Sequence, residues 1–206
     1  LVYAPLGPTH LAPEDLAIMR TIPNMTVAAP ADAEEMERVI LASEALPGPL
    51  YVRIAKGGDA VVSRPEHGFA FGRAILHREP GDVLFLTTGV MLQRALEAAK
   101  RLESAGGTSG ILHLHTIKPF DAAAVVREAA KARAVLSLEE GTILGGLGSA
   151  AAEALAEHPF KDPPRFKRLG LPDEFMDQYG SQNSLLARYR LRPEDIAERA
   201  LRELRA

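Results

Sequence analysis

The turn Gly7-Pro8-Thr9-His10 carries the residues with the clearest catalytic chemistry in this sequence. Glycine tolerates a positive φ and proline fixes φ near about −65°, so the first two residues define an unusual backbone path. A histidine at the end of such a turn is held by the backbone. Because imidazole exchanges a proton near neutral pH, His10 is a candidate for catalysis by proton transfer. The alternative is a turn histidine that hydrogen-bonds only its own loop.

Arg53 is the second candidate, and it lies near the carboxyl end of a predicted strand, 50–54. Ligands gather at this end of the strands in α/β sheets. A guanidinium group offers a planar, bidentate fork that suits phosphate. The alternative for Arg53 is an ordinary surface ion pair.

Three other polar patterns favour structural roles. His113 and His115 are two residues apart on a predicted strand and share a face, but no further metal ligands accompany them, so a packed or half-exposed pair is expected. Glu139 and Glu140 are adjacent and point in different directions, which disfavours a shared proton. The glycine-rich stretch 145–148 lacks the full GxGxxG spacing, so close packing is favoured over phosphate binding.

The elements that position these residues form two α/β units. In the first, helices are predicted at 13–21 and 33–45, the latter capped by Asp32, and strands at 25–29 and 50–54. These read as a parallel βαβ unit. Residues 57–70 are polar and turn-rich, and they are predicted to be a linker.

The second unit alternates short apolar strands with helices. Strands are predicted at 73–77, 83–88, 111–117, 134–138 and 166–170, and helices at 91–104, 121–132, 145–158 and 193–205. This pattern predicts an α/β fold with a three-layer, mostly parallel sheet, preceded by the end of a second α/β domain. The predicted domains are therefore residues 1–56 and residues 71–206, joined by the linker.

Composition narrows the possible functions. The chain has 206 residues, 47% of them hydrophobic, which is enough for a substantial core. Its net charge of −3 provides no basic surface, so no nucleic acid partner is expected. No apolar run is long enough to cross a membrane. The sequence has no cysteine, which excludes disulfides and thiolate chemistry and fits a cytoplasmic protein. Because it begins without methionine, we expect a fragment or the ordered part of a longer polypeptide.

Six stretches in the observed order resemble the transketolase family. They are GPTH, LAIMRTIPNMTVAAPADAEE and PLYVRIAKG in the first unit, and DVLFLTTGVMLQRALEAA, HTIKPFD and LEEGTILGGLGSAAAE in the second. The family includes transketolase, deoxyxylulose-phosphate synthase and the E1-β subunits of 2-oxoacid dehydrogenases. Residues 7–56 resemble the C-terminal part of its pyrimidine-binding domain, and the second unit resembles its C-terminal domain.

The resemblance implies an enzyme that uses thiamine diphosphate and Mg²⁺ to transfer two-carbon ketol units between sugar phosphates. His10 matches the family histidine that faces the thiazolium ring and the substrate oxygens, and Arg53 matches the arginine that binds the terminal phosphate. The stretches that carry the cofactor-activating glutamate and the metal-binding motif are not in this sequence. We therefore expect no cofactor on this chain alone, which would be inactive by itself, and we expect a homodimer that works with an N-terminal cofactor-binding polypeptide or subunit.

One position departs from the family pattern and leaves the substrate open. Where transketolase has an aspartate that contacts a substrate hydroxyl, four residues before the histidine, this chain has Leu6. The alternatives are an E1-β-like subunit, a deoxyxylulose-phosphate synthase-like carboligase and a non-catalytic dimerisation or assembly module. Arg53 favours a phosphorylated sugar over a plain 2-oxoacid.

Overall fold

The first unit is a small α/β layer that begins with two tight turns. The computed structural model describes residues 1–205; Ala206, the last residue of the predicted C-terminal domain, lies outside them. Two 3-10 turns, Ala4–Leu6 and Pro8–His10, are followed by α1 (Asp15–Thr21), β1 (Thr26–Ala28), α2 (Ala33–Ser43) and β2 (Leu50–Val52). β1 and β2 pair in parallel, which confirms the predicted βαβ unit.

Asp32 caps α2 and also fastens the linker to it. Its carboxylate accepts a hydrogen bond from the amide of Glu35 at 2.9 Å, which satisfies a free donor of the first helical turn. The other oxygen accepts from the amides of Val62 and Ser63, each at 2.7 Å. The hydroxyl of Ser63 also donates to this carboxylate, at 2.6 Å. Burial raises the pKa of Asp32, but the Ser63 hydroxyl and the three amides outweigh it and hold the pKa below its usual value. One carboxylate therefore orients both the helix and the segment that leads to the second unit.

The second unit is built on a five-stranded sheet. Its elements are β3 (Ile75–Arg78), β4 (Val83–Thr87), α3 (Met91–Ser104), β5 (Ser109–His113), β6 (Thr116–Lys118), α4 (Ala122–Ala129), β7 (Ala134–Thr142), α5 (Leu147–Glu157), β8 (Arg165–Leu171), α6 (Gln182–Arg188) and α7 (Pro193–Arg205). The strand order is β3-β5-β4-β7-β8. All neighbours are parallel except β3, which runs antiparallel to β5, and the predicted mostly parallel α/β fold is confirmed.

The central strand β4 separates two apolar layers. All five of its residues are buried. Val83 and Phe85 face the layer that includes α3 and α7, whereas Leu84 and Leu86 face the layer that includes α4 and α5. Alternate side chains of a strand point to opposite faces, so a continuous apolar run is what a sheet covered on both sides requires. The result is a three-layer arrangement of helices, sheet and helices.

The strand predicted at 111–117 is wrong as a single element. β5 ends at His113, and β6 leaves the second sheet to pair antiparallel with β1. The amide of Ala29 donates to the carbonyl of His115 at 2.8 Å at the crossing point. The second unit thereby completes a three-stranded sheet, β2-β1-β6, in the first. The helix α6 is a further element that the sequence pattern did not predict. Among residues 1–205, no helix is both long and apolar enough to cross a bilayer.

Candidate functional site

His10 projects from the second of two tight turns that are joined at Gly7. Gly7 adopts a φ of +78°, in the left-handed region that favours glycine. Its carbonyl accepts a hydrogen bond from the amide of His10 at 3.0 Å. The imidazole is exposed, and its Nδ1 lies 3.0 Å from the hydroxyl of Thr9. The neighbouring hydroxyl therefore orients the ring while the opposite nitrogen, Nε2, stays available to a ligand.

Arg53 follows β2 directly and is held in a network centred on Asp15. Its Nε lies 3.0 Å from Asp15 Oδ2, and its Nη2 donates to the other oxygen of the same carboxylate. Its Nη1 donates to the carbonyl of Glu140 at 2.9 Å. Tyr51 donates its hydroxyl to Asp15 Oδ2 at 2.7 Å. Three donated hydrogen bonds thus fix the orientation of the guanidinium group. Arginine has five side-chain N–H groups, so two remain for a ligand.

The charges in this network stabilise one another. Burial raises the pKa of Asp15, but the Arg53 guanidinium outweighs it and holds that pKa below its usual value. Burial and the neighbouring Asp15 carboxylate raise the pKa of Tyr51 to about 12. At neutral pH the network therefore contains an ionised aspartate, a charged arginine and a neutral phenol. The sequence pattern did not single out Asp15 as a site residue; the available signal was an acidic residue five positions after His10.

His10 and Arg53 line the same cleft, of about 150 Å³. Asp15, Glu140 and residues 1–3, 11–13 and 54 also line it. The cleft brings together a proton-exchanging imidazole and a fixed cation, which suits a small ligand with hydroxyl groups and an anionic end. Leu6 is half exposed beside Gly7, and an aliphatic side chain offers no hydrogen bond to such a ligand.

A larger cavity of about 390 Å³ lies between β8 and α7 and includes neither His10 nor Arg53. Two of its arginines, Arg190 and Arg202, form ion pairs with Glu198. Arg168 donates to the carbonyl of Ile143 at 2.8 Å. Arg53 is paired within the chain as well, so pairing does not distinguish the two cavities. We place the site in the smaller cleft because both candidate residues, His10 and Arg53, line it.

Four histidines form a cluster, two of them buried and two of them partly buried. They are His67, His77, His113 and His115, with successive ring centroids 4.3, 5.9 and 6.2 Å apart. His113 and His115 are fully buried, and they do not share one strand, because β5 ends at the first of them. The expectation of a pair on one strand is therefore wrong, and the expectation of packing is confirmed.

The chemistry of this histidine cluster is that of a packed core. His113 Nε2 lies 3.0 Å from Glu35 Oε2, and its Nδ1 lies 2.9 Å from the hydroxyl of Thr87. Burial lowers the pKa of His77 to about 3 and that of His115 to about 4. In the part of the chain that the structure describes, no group of three or more histidine or acidic side chains is placed to hold a metal ion.

The glycine-rich stretch 145–148 wraps a carboxylate of the chain itself. Glu139 accepts hydrogen bonds from the amides of Leu147 and Gly148, at 2.8 and 2.9 Å, at the N-terminus of α5. A Cβ at Gly148 would lie 2.7 Å from the hydroxyl of Ser137, so the helix approaches β7 too closely for a side chain. Burial raises the pKa of Glu139 to about 7 despite these hydrogen bonds. The first turn of α5 is therefore occupied, as the packing interpretation predicted.

Glu140 points away from Glu139 and joins a different part of the molecule. Its Oε1 accepts a hydrogen bond from Gln182 at 2.6 Å, at the start of α6. The two glutamates thus belong to separate networks, which confirms that they do not share a proton.

Both units of the chain match known protein families. Residues 2–58 match the family "Transketolase, pyrimidine binding domain", and residues 72–196 match "Transketolase, C-terminal domain". An uncharacterised transketolase family protein of Sinorhizobium fredii is 41% identical over 83% of this chain and 50% of its own length. A 6-deoxy-6-sulfo-D-fructose transketolase subunit of a Clostridium species is 39% identical over 94% of this chain and 59% of its own. The chain therefore spans about half the length of these relatives.

A more distant group and one solved structure extend the comparison. The 1-deoxy-D-xylulose-5-phosphate synthase of Parasynechococcus marenigrum is 35% identical over 86% of this chain and 28% of its own length. The solved structure of a split-gene transketolase, described as an inactive beta4 tetramer, superposes with a TM-score of 0.86 at 34% identity. That superposition covers 96% of this chain and 62% of the solved one.

Proposed function

Because the chain belongs to the transketolase family, we propose that it is the C-terminal part or subunit of a thiamine-diphosphate enzyme that transfers two-carbon ketol units between sugar phosphates. We assign residues 1–56 to the end of the pyrimidine-binding domain, residues 57–70 to a linker and residues 71–206 to the C-terminal domain. In this proposal the chain contributes the substrate wall of the active site.

One observation carries the proposal: His10 and Arg53 line one cleft, and each is oriented by a neighbour before any ligand arrives. His10 Nε2 would exchange a proton with a substrate hydroxyl, which is the role that an exposed imidazole with its other nitrogen occupied can serve. Arg53 would attract the anionic end of the sugar with the N–H groups that Asp15 and Glu140 leave free. Fixing both groups in advance reduces the entropy lost when the substrate binds.

The described residues fit the substrate side of such a site but not the cofactor's anchoring groups. None of the described carboxylate or histidine groups is arranged for Mg²⁺, and Glu139 already fills the glycine-rich helix N-terminus that could have received a diphosphate. Thiamine diphosphate, when bound, supplies the carbon nucleophile for ketol transfer. We therefore propose that a second polypeptide, or another part of a longer one, holds the diphosphate and the metal, and that the assembly contains two copies of this chain. The split-gene transketolase supports this division, because its beta chains alone form an inactive tetramer.

A second candidate function is carboligation of the deoxyxylulose-phosphate synthase type. The observation that favours it is Leu6, which lacks the hydrogen bond that a transketolase donor hydroxyl would need. Relatives of that type are 35% identical to this chain. A transketolase subunit that acts on a sulfonated sugar is more similar still, and a sulfonate could occupy the Arg53 position as a phosphate would.

The test measures KM of the full-length enzyme, assembled with its partner polypeptide, for two substrates that differ only in the anionic end. Replacing Arg53 with methionine should raise KM for a phosphorylated ketose about 10- to 100-fold, because a hydrogen bond to a charged group contributes about 1.5–3 kcal/mol. KM for an unphosphorylated ketose should change little. Arg64, exposed in the linker, gives the matched control Arg64→Met, which should leave both values unchanged. Equal losses on both substrates would contradict the role of Arg53.

The same assay separates the two candidate functions. Transfer from a ketose phosphate to an aldose phosphate supports transketolase, and condensation of a 2-oxoacid with an aldehyde phosphate supports the carboligase. Efficient turnover of ordinary ketose-phosphate donors would show that Leu6 does not exclude them. If the His10→Ala variant catalyses both reactions as well as the wild type, both candidate functions are contradicted.

A further inference from the structure

The loop between β8 and α6 crosses the turn that carries His10. Within this loop, the amide of Gly180 donates to the carbonyl of Ala4 at 3.2 Å. The ring of Tyr179 lies on the side of Gly7 from which a side chain would project. A Cβ built on Gly7 would lie 2.6 Å from Tyr179 Cζ and 2.9 Å from Cδ1, where unbonded carbon atoms normally stay about 3.5–4.0 Å apart. The second unit thus packs on the one glycine that joins the two turns.

Gly7 transmits this contact to His10 through the backbone. Its amide donates to the carbonyl of Ala4 at 3.1 Å, so Ala4 accepts both from Gly7 and from Gly180. Its carbonyl accepts from the amide of His10. A change in the φ of Gly7 would therefore break bonds on both sides and rotate the imidazole away from the cleft.

The loop is firmly anchored on its far side. Ser181 precedes α6 and caps it with a reciprocal capping box: its hydroxyl accepts from the amide of Ser184, and the Ser184 hydroxyl accepts from the amide of Ser181. The next residue, Gln182, is tied to Glu140, whose carbonyl also holds Arg53. Tyr179 consequently approaches Gly7 from a helix start that is fixed to the wall of the cleft.

We propose that Tyr179 is a positioning residue for His10: its ring fills the space over Gly7 and keeps the turn in the conformation that presents the imidazole to the substrate. This inference rests on the proposed function of the cleft. It gives the C-terminal domain a direct part in the active site, beyond assembly. Because Cε1, Cζ and Cδ1 of the ring make the contact, the hydroxyl is not required for it.

The test uses the full-length enzyme with its partner polypeptide. Tyr179→Ala should lower kcat about 10- to 100-fold, because small displacements of a catalytic group have effects of this size, with little change in KM for thiamine diphosphate. Tyr179→Phe keeps the ring and should restore the wild-type kcat. Phe175 lies in the same loop with 93% of its surface exposed, so Phe175→Ala is a matched aromatic deletion that should leave kcat unchanged.

A double variant shows whether Tyr179 acts through His10. In a His10→Ala background, Tyr179→Ala should cause no further loss of kcat, whereas an independent structural effect would add to it. Gly7→Ala gives a second double-mutant cycle. The loss of kcat that Gly7→Ala causes should be smaller in the Tyr179→Ala background, because the ring that would clash with the new Cβ is absent.

The outcomes separate the two proposals. If His10→Ala lowers kcat but Tyr179→Ala does not, or if the two losses multiply, the positioning role of Tyr179 is overturned while the proposed function stands. If His10→Ala is fully active, the proposed function fails and the positioning role fails with it. If Tyr179→Ala does not fold, Tyr179→Leu takes its place, because it removes the ring and keeps an apolar side chain. A lower kcat in Tyr179→Leu than in Tyr179→Phe supports the role, and equal kcat in the two variants overturns it.

Discussion

Two histidines of the cluster, His77 and His115, predict a steep loss of stability in mild acid. His77 and His115 have folded-state pKa values of about 3 and about 4, because burial disfavours their charged forms. At His77 the neighbouring His113 and His67 lower the pKa further. In the unfolded chain both return to about 6.5. Between pH 6.5 and about 4 the unfolded state therefore binds two protons that the folded state does not, so stability falls as pH falls through this window.

The magnitude follows from the proton difference. Each proton taken up on unfolding contributes about 1.4 kcal/mol per pH unit, so lowering the pH from 7 to 5 reduces the free energy of unfolding by about 2 kcal/mol for each histidine. The two groups together give about 4 kcal/mol. Glu35 adds little between pH 7 and 5, because its folded-state pKa is about 2, held down by His113 against the effect of burial, and its unfolded value of 4.5 lies below pH 5.

Urea titrations monitored by circular dichroism at pH 7, 6 and 5 measure this loss. Replacing His77 with phenylalanine keeps an aromatic ring beside His67 and removes one of the two protons, so the loss between pH 7 and 5 should shrink from about 4 to about 2 kcal/mol. His158, which is exposed, supplies the control His158→Gln, which should keep the wild-type slope. A stability that does not change between pH 7 and 5, or an unaltered slope in His77→Phe, would refute the reasoning.

Three further predictions concern the framework around the cleft. Burial raises the pKa of Glu139 to about 7 from an unfolded value near 4.5, so ionising Glu139 opposes folding and the wild type loses stability as the pH rises from 5 to 8. Glu139→Gln does not ionise, so its stability relative to the wild type should improve by up to about 3 kcal/mol over the same range. Chemical denaturation at pH 5 and pH 8 measures the difference. Asp32→Ala should lower the free energy of unfolding by about 2–4 kcal/mol and increase hydrogen exchange at Ser63, because it removes a helix cap and leaves linker donors unpaired; unchanged exchange there would contradict the linker's dependence on this carboxylate. Gly148→Ala should lower the thermal midpoint and reduce the free energy of unfolding by about 1–3 kcal/mol, because the added methyl group meets Ser137. Adding Ser137→Ala to the same chain should recover part of that loss.

Local patterns in the sequence predict most of the regular elements. The bounds predicted for α3 and α7 agree with the structure, because each helix has an amphipathic period and a clear signal at one end: Gly106 with a φ of +84° after the first and Pro193 at the start of the second. The helix predicted from residue 121 begins at Ala122, because Asp121 caps α4 with its carboxylate accepting from the amide of Ala124 at 3.1 Å. These features depend on neighbours within one turn of the chain.

What the sequence pattern missed depends on contacts between distant segments. The residues of β5 and β6 form one apolar run, and nothing local indicates that the run changes sheets at His115. The break exists because β1 offers a free edge and Phe69 of the linker stacks on the His115 ring with centroids 4.3 Å apart. The pairing of Asp15 with Arg53 was hidden for the same reason, since 38 residues separate the two partners. Candidate chemical groups could therefore be named from the sequence, but not the groups that orient them.

The central claim is that His10 and Arg53 form the substrate wall of the active site. A crystal structure of the full-length enzyme with its partner polypeptide, thiamine diphosphate and a phosphorylated ketose tests it most directly. We expect the phosphate oxygens within about 3.2 Å of the Arg53 guanidinium and a substrate hydroxyl within about 3.2 Å of His10 Nε2. A bound ketose whose phosphate lies against other residues, with Arg53 still engaged only by Asp15 and Glu140, would contradict it.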